Sequence, residues 1–173
     1  MASRSRWALV VSCLAGMGYA WRVYSVSPAV VPVHYGPNGL PDRWGSPAEL
    51  LAVHAGVIGV SSVLFAALPW LVRRAPSLVN LPNKEYWLAP ERRDEAAAKL
   101  EGWCGVFGTA LNVLVITLQA LLAGGTAQGA RGVAFLLSVT LGFALFTIAS
   151  CVWLYRSYRL PAGAEWAQPP RAR

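Results

Sequence analysis

Long apolar runs alternate with short polar segments along this chain, and the lengths of the runs carry the strongest signal. Four can be read: Trp7 to Tyr24, Leu50 to Val72, Trp103 to Ala123 and Val133 to Tyr155. Each approaches the roughly 20 residues that a helix needs to cross about 30 Å of hydrocarbon. A bilayer core has no water to satisfy backbone amides, so an open-ended segment crosses it as a helix. The pattern predicts an all-α fold: an integral membrane four-helix bundle with helices over about 7–24, 47–72, 90–123 and 133–157. These form a single membrane domain over 1–160, followed by a flexible cytoplasmic tail over 161–173. The first run also has the form of a secretory signal peptide, with Arg4 and Arg6 ahead of an apolar core. Its continuation through Trp21 and Tyr24, aromatics suited to a membrane interface, favours a retained helix.

Between the first two runs the pattern changes. In Val31-Pro-Val-His-Tyr35, strand geometry places Val31, Val33 and Tyr35 on one face and His34 on the other. Gly36-Pro-Asn-Gly39 supplies a turn, because Pro37 presets φ at the second turn position and Asn38 and Gly39 tolerate the backbone angles of the third and fourth. Ser46-Pro-Ala-Glu49 has the form of a helix start, with serine as N-cap, proline at the first position and glutamate three residues past the cap. The segment therefore reads as a small hairpin that ends by starting the second helix.

The motif His34-Tyr-x-x-x-Gly39-x-Pro-Asp-x-Trp-Gly-Ser46 resembles the signature loop of the bacterial membrane family known as domain of unknown function 1648. That domain also forms the N-terminal part of SdpI-like immunity proteins. Asn80-Leu-Pro-Asn-Lys-Glu-Tyr-Trp-Leu88 resembles the central loop of the same family, so that the resemblance runs over about residues 10 to 125. It implies a membrane protein of the binding, immunity or signalling type.

Composition agrees, since 55% of the residues are hydrophobic and 13% charged, which is too apolar for an ordinary soluble domain. Charge then sets an orientation. Two basic residues precede the first run, six lie between Arg73 and Gly102, and four follow Tyr155, which makes twelve of the fifteen. Only Arg22, Arg43 and Arg131 fall on the other side. The positive-inside rule predicts cytoplasmic termini, a cytoplasmic central loop and an extracytoplasmic hairpin, in the bacterial inner membrane. Topology and anionic lipid account for the formal charge of +7, and no nucleic-acid partner is expected.

Polar groups inside the runs are few. Asn112 and Gln119 share a face of the third helix with Gly105 and Gly108; they are expected to bond across the bundle or to line a cavity. Ala52, Gly56 and Gly59 offer a small-residue surface on the second helix. His54, near its outer end, suits a packing contact better than a proton site. Cys13, Cys104 and Cys151 have no metal-ligand spacing, so no metal, cofactor or catalytic residue is expected. His34 and Asp42 are placed to bond across the hairpin. In the central loop, Tyr86 and Trp87, with Asn80 and Asn83, read as a membrane or partner interface, docked on the bilayer or on the underside of the bundle.

The functional expectation is a non-catalytic protein that recognises a toxin-like or other extracytoplasmic or membrane ligand. It would do so through His34, Asp42, Arg43, Trp44, His54, Asn112 and Gln119, and it would engage a membrane or cytoplasmic partner. The competing expectation is a small permease or membrane enzyme whose site is built from the hairpin and the helix-three amides.

Overall fold

The structure is a computed structural model that describes residues 2–123 and 129–161. Helix α1 (Ala2–Val26) is followed by strands β1 (Val31–Tyr35) and β2 (Pro41–Gly45), then by α2 (Pro47–Arg74). A short helix α3 (Lys84–Trp87) punctuates the central loop before α4 (Arg93–Ala123) and α5 (Gly129–Ser157). Four of these helices are long and apolar enough to cross a membrane: Arg4–Val26, Pro47–Arg74, Arg93–Ala123 and Arg131–Ser157. The protein is thus an all-α membrane helical bundle carrying one two-stranded hairpin.

Local chemistry explains the hairpin and the helix that leaves it. The Gly39 N–H donates to the Gly36 carbonyl at 2.9 Å, Asn38 Oδ1 accepts from the Leu40 N–H, and Gly39 takes a φ of 73° that a side chain would resist. The strands pair antiparallel, with Val31 opposite Gly45 and Tyr35 opposite Pro41, and the register slips on either side of His34. Ser46 Oγ caps α2 by accepting from the Glu49 N–H at 3.2 Å. The Glu49 carboxylate accepts from Arg43 at 2.7 Å, tying β2 to the first turn of the helix. Helix α4 starts three residues later than the expected position 90, after a turn in which the Arg93 N–H bonds to the Ala89 carbonyl.

Helices α1, α2 and α4 pack against one another, and α5 packs chiefly on α4. Glycine sets the close approaches. A Cβ on Gly105 would fall 2.6 Å from the backbone of Ser5, and one on Gly108 would fall 2.7 Å from Leu9. Gly16 and Gly59 make similar approaches to Ile58 and Met17. Gly56, by contrast, faces open space and Ala52 is exposed, so the small-residue surface expected on α2 takes part only through Gly59. Between α4 and α5 the contact is an aromatic seam of Trp103, Phe107, Phe143 and Phe146, with the Trp103 indole donating to the Ser150 carbonyl at 3.2 Å.

The end of the bundle away from the hairpin is closed by the central loop. The last carbonyls of a helix have no intrahelical partner. Here Lys99 donates to the Ser157 carbonyl at 3.3 Å, while the Asn83 amide and the Trp87 indole both donate to that of Tyr158, at 2.9 and 2.8 Å. The Tyr158 hydroxyl donates in turn to the Ala96 carbonyl at 2.7 Å, and the Lys99 ammonium lies 3.5 Å above the Trp87 ring. Trp87, 2% exposed, belongs to a buried cluster with Val72, Ala96, Ala97, Leu100, Cys104 and Tyr158. Of the two surfaces open to this aromatic pair, Trp87 takes the underside of the bundle.

Candidate functional site

At the hairpin end, three elements enclose a space that none of them lines alone. The side chains of Val31, Val33 and Tyr35 leave β1 on one face, as strand alternation requires, and that face turns toward the bundle. Beneath it lie the last turn of α1 with Val23, the first two turns of α2 with Leu50, Val53 and His54, and the end of α4 with Gln119 and Leu122. The cavity they form measures about 480 Å³. That is within the roughly 300–1,000 Å³ range of small-molecule sites, and like them it is mostly apolar with a few polar groups. The Tyr35 hydroxyl donates to the Leu122 carbonyl at 3.2 Å, pinning the hairpin over the end of α4, and burial raises the pKa of this phenol.

The polar groups of the wall differ in how far they are satisfied. Arg43 and Glu49 answer each other at 2.7 Å. His54 Nδ1 lies 2.8 Å from the Leu50 carbonyl. A carbonyl oxygen only accepts, so Nδ1 carries the proton and a neutral ring keeps a lone pair on Nε2. Gln119 is 2% exposed, and neither its amide nitrogen nor its amide oxygen has a hydrogen-bond partner. A buried, unpaired amide costs about 1–3 kcal/mol, so it calls for an explanation.

The structure separates the residues singled out by sequence. Arg43, Trp44, His54 and Gln119 come together on this wall. His34 and Asp42 pair across the hairpin at 2.5 Å, exposed and apart from the cavity. Asn112 lies deeper in the bundle, where its Nδ2 donates to Ser12 Oγ on α1 at 3.0 Å and to Ser62 Oγ on α2 at 3.1 Å. The two α4 amides, equivalent by sequence, thus divide: Asn112 bonds across the bundle and Gln119 does not. Of the loop residues, Asn83 and Trp87 hold the end of the α5 segment, Arg92 stacks on the Tyr86 ring at 4.1 Å, and Asn80 is exposed.

Sequence reasoning missed Tyr35, Val23 and Leu122 as wall residues. Tyr35 had a usable signal in the Val31, Val33, Tyr35 alternation. The other two are ordinary apolar positions near helix ends, made significant only by the roof above them.

Comparison with known proteins bears on this same segment. A curated relative from Archaeoglobus fulgidus, described as an uncharacterized protein, is 37% identical over 68 residues. The match covers 37% of this chain and 37% of the relative, so the chain spans little more than a third of that relative's length. No solved structure matches the chain. Residues 11–58 match the family model described as Domain of unknown function (DUF1648), while the Asn80 to Leu88 motif lies outside the matched stretch. The matched stretch, running from α1 through the hairpin to Ile58, supplies most of the cavity wall and is similar to the DUF1648 family.

Proposed function

We propose that this protein is a non-catalytic membrane receptor, of the binding, immunity or signalling type, that takes a small ligand into the cavity beneath the hairpin. The cavity itself carries the reading: about 480 Å³, mostly apolar, and roofed by a hairpin that Tyr35 and the Arg43–Glu49 pair hold in place. The ligand enters from the extracytoplasmic side or from the outer leaflet. The charge distribution supports that orientation, because Arg4, Arg6, Arg73, Arg74, Lys99 and Arg156 all lie toward the central-loop end of the bundle, and the hairpin end carries few cations. Both termini are then cytoplasmic.

Two measurements test this. Native mass spectrometry of the protein released from membranes should show a retained small molecule, which Val33→Trp, filling the cavity from its roof, should lose. A bare parent, or an adduct that Val33→Trp keeps unchanged, refutes the cavity as a receptor site. For orientation, single cysteines at Asn38 and Asp94, in a background without the native three, are probed with an impermeant thiol reagent on intact cells. Labelling at Asn38 alone is expected, and labelling at Asp94 alone reverses the topology.

A further inference from the structure

From the satisfied and unsatisfied groups of the cavity wall, we infer the chemical class of its ligand: an uncharged amphiphile whose head group both donates and accepts hydrogen bonds, a carboxamide or an alcohol, on an apolar body. The inference rests on the receptor reading above.

Charge comes first. The ionic side chains on the wall, Arg43 and Glu49, are paired at 2.7 Å. No unmatched counter-ion therefore awaits an ionic head there, and burying an ion without one is strongly unfavourable. Hydrogen-bonding capacity comes next. Gln119 offers an unpaired amide N–H₂ and an unpaired amide oxygen, so it is complete only opposite a group with both an acceptor and a donor. With its Nδ1–H committed to the Leu50 carbonyl, the His54 ring in its neutral form adds an acceptor at Nε2. A carboxylate supplies acceptors only, an ammonium donors only, and a hydrocarbon neither. A carboxamide or a hydroxyl supplies both. Gln119 is among the residues that line the cavity, and a ligand would meet its amide by rotation about the side-chain torsions. The apolar body is then received by Val23, Val31, Val33, Leu50, Val53 and Leu122.

Gln119 is unpaired at both ends of its amide, whereas Asn112 lacks a partner only at Oδ1. A glutamine kept buried without a partner lowers the stability of the protein, whereas leucine, of similar volume, does not. Retaining such a group at a measurable cost is what a binding site does.

The test uses the full chain in lipid nanodiscs and a ten-carbon chain with a diazirine in its tail and a primary carboxamide head. Irradiation should label the cavity wall saturably, in peptides covering residues 31–35, 50–54 or 119–123. At equal mole fraction in the bilayer, unlabelled decanamide and decanol should compete at least about 10-fold better than decanoate, decylamine or decane, the factor expected for roughly one net hydrogen bond. Gln119→Leu should raise half-saturation by a similar factor while melting no lower than the parent. Equal competition by decanoate or decane overturns the ligand class and leaves the cavity a receptor site; so does unchanged labelling of Gln119→Leu. Absence of saturable labelling with any head group overturns the class and the receptor reading together. Should Gln119→Leu fold poorly, the competition series on the parent decides alone.

Discussion

The approach of α1 to α4 permits a test of the packing that holds the cavity in place. Gly105→Ala adds one methyl group whose carbon would lie 2.6 Å from the backbone carbon and oxygen of Ser5. Ordinary van der Waals contact begins near 3.4 Å, so α1 and α4 must separate locally by about 0.8 Å. A gap of roughly 0.5–1 Å forfeits a quarter to a half of the dispersion well for each atom pair across it. Backbone, unlike the tip of a side chain, cannot swing aside. The same displacement stretches the 3.0 Å bond from Asn112 to Ser12, two turns further along α4. Overpacking of this kind costs about 1–3 kcal/mol.

Alanine also brings a helix-propensity gain over glycine of up to about 1 kcal/mol, and a control removes it. Gly142→Ala on α5 faces open space, so it should gain the propensity term alone. The difference between the two variants isolates the steric cost and should reach about 1–3 kcal/mol, with Gly105→Ala the less stable. Reversible unfolding in mixed detergent micelles, followed by circular dichroism, measures it. Equal stability of the two variants would refute the close contact of α1 with α4 and, with it, the three-helix frame under the hairpin.

Other expectations are briefer. Gln119→Leu should raise stability by about 1–3 kcal/mol, since it removes two unpaired buried polar atoms, and a lower midpoint in the same assay would mean that the amide has a partner. Ser46→Ala should lower stability by about 0.5–2 kcal/mol by removing the α2 cap, without changing amphiphile labelling of folded protein; an unaltered midpoint would count against the cap. Trp87→Phe removes an indole donor from the Tyr158 carbonyl and should cost about 0.5–1.5 kcal/mol, with increased proteolysis of the central loop as the structural readout and an intact loop as the contrary result. Burial raises the pKa of Tyr158 above its ordinary value near 10, so the folded state holds this proton more tightly than the unfolded chain does. The resulting stability is present below about pH 10 and is lost as pH rises through the folded-state pKa. Tyr158→Phe should therefore show a shallower alkaline decline in melting temperature than the parent, and parallel declines would exclude this group as the cause.

Much of this architecture was legible in the sequence because the forces that fix it are local. Run length against bilayer thickness located the spans. The Gly36 to Gly39 turn and the Ser46 cap arise from the dihedral preferences and hydrogen-bonding groups of four neighbouring residues each, and both formed as read. The likeness of residues 11–58 to a membrane family was recognisable for a related reason, since it rests on a contiguous loop motif.

Tertiary structure alone decided that Asn112 finds partners for its Nδ2, though not for its Oδ1, while Gln119 finds none for either end of its amide. Asn112 and Gln119 lie seven residues apart on one face of α4, in sequence contexts that look alike. Asn112 meets Ser12 and Ser62 because glycines bring α1 and α2 close at that depth. Gln119 lies where the three helices give way to the space beneath the hairpin, and no side chain reaches its amide. Hydrogen-bond partners from other helices depend on interhelical distance, which is a sum over many contacts distant in sequence. The cavity has the same origin: its wall is shared among β1, α1, α2 and α4, and it exists only once a roof fixed by Tyr35 and a floor fixed by glycine packing stand at a set separation.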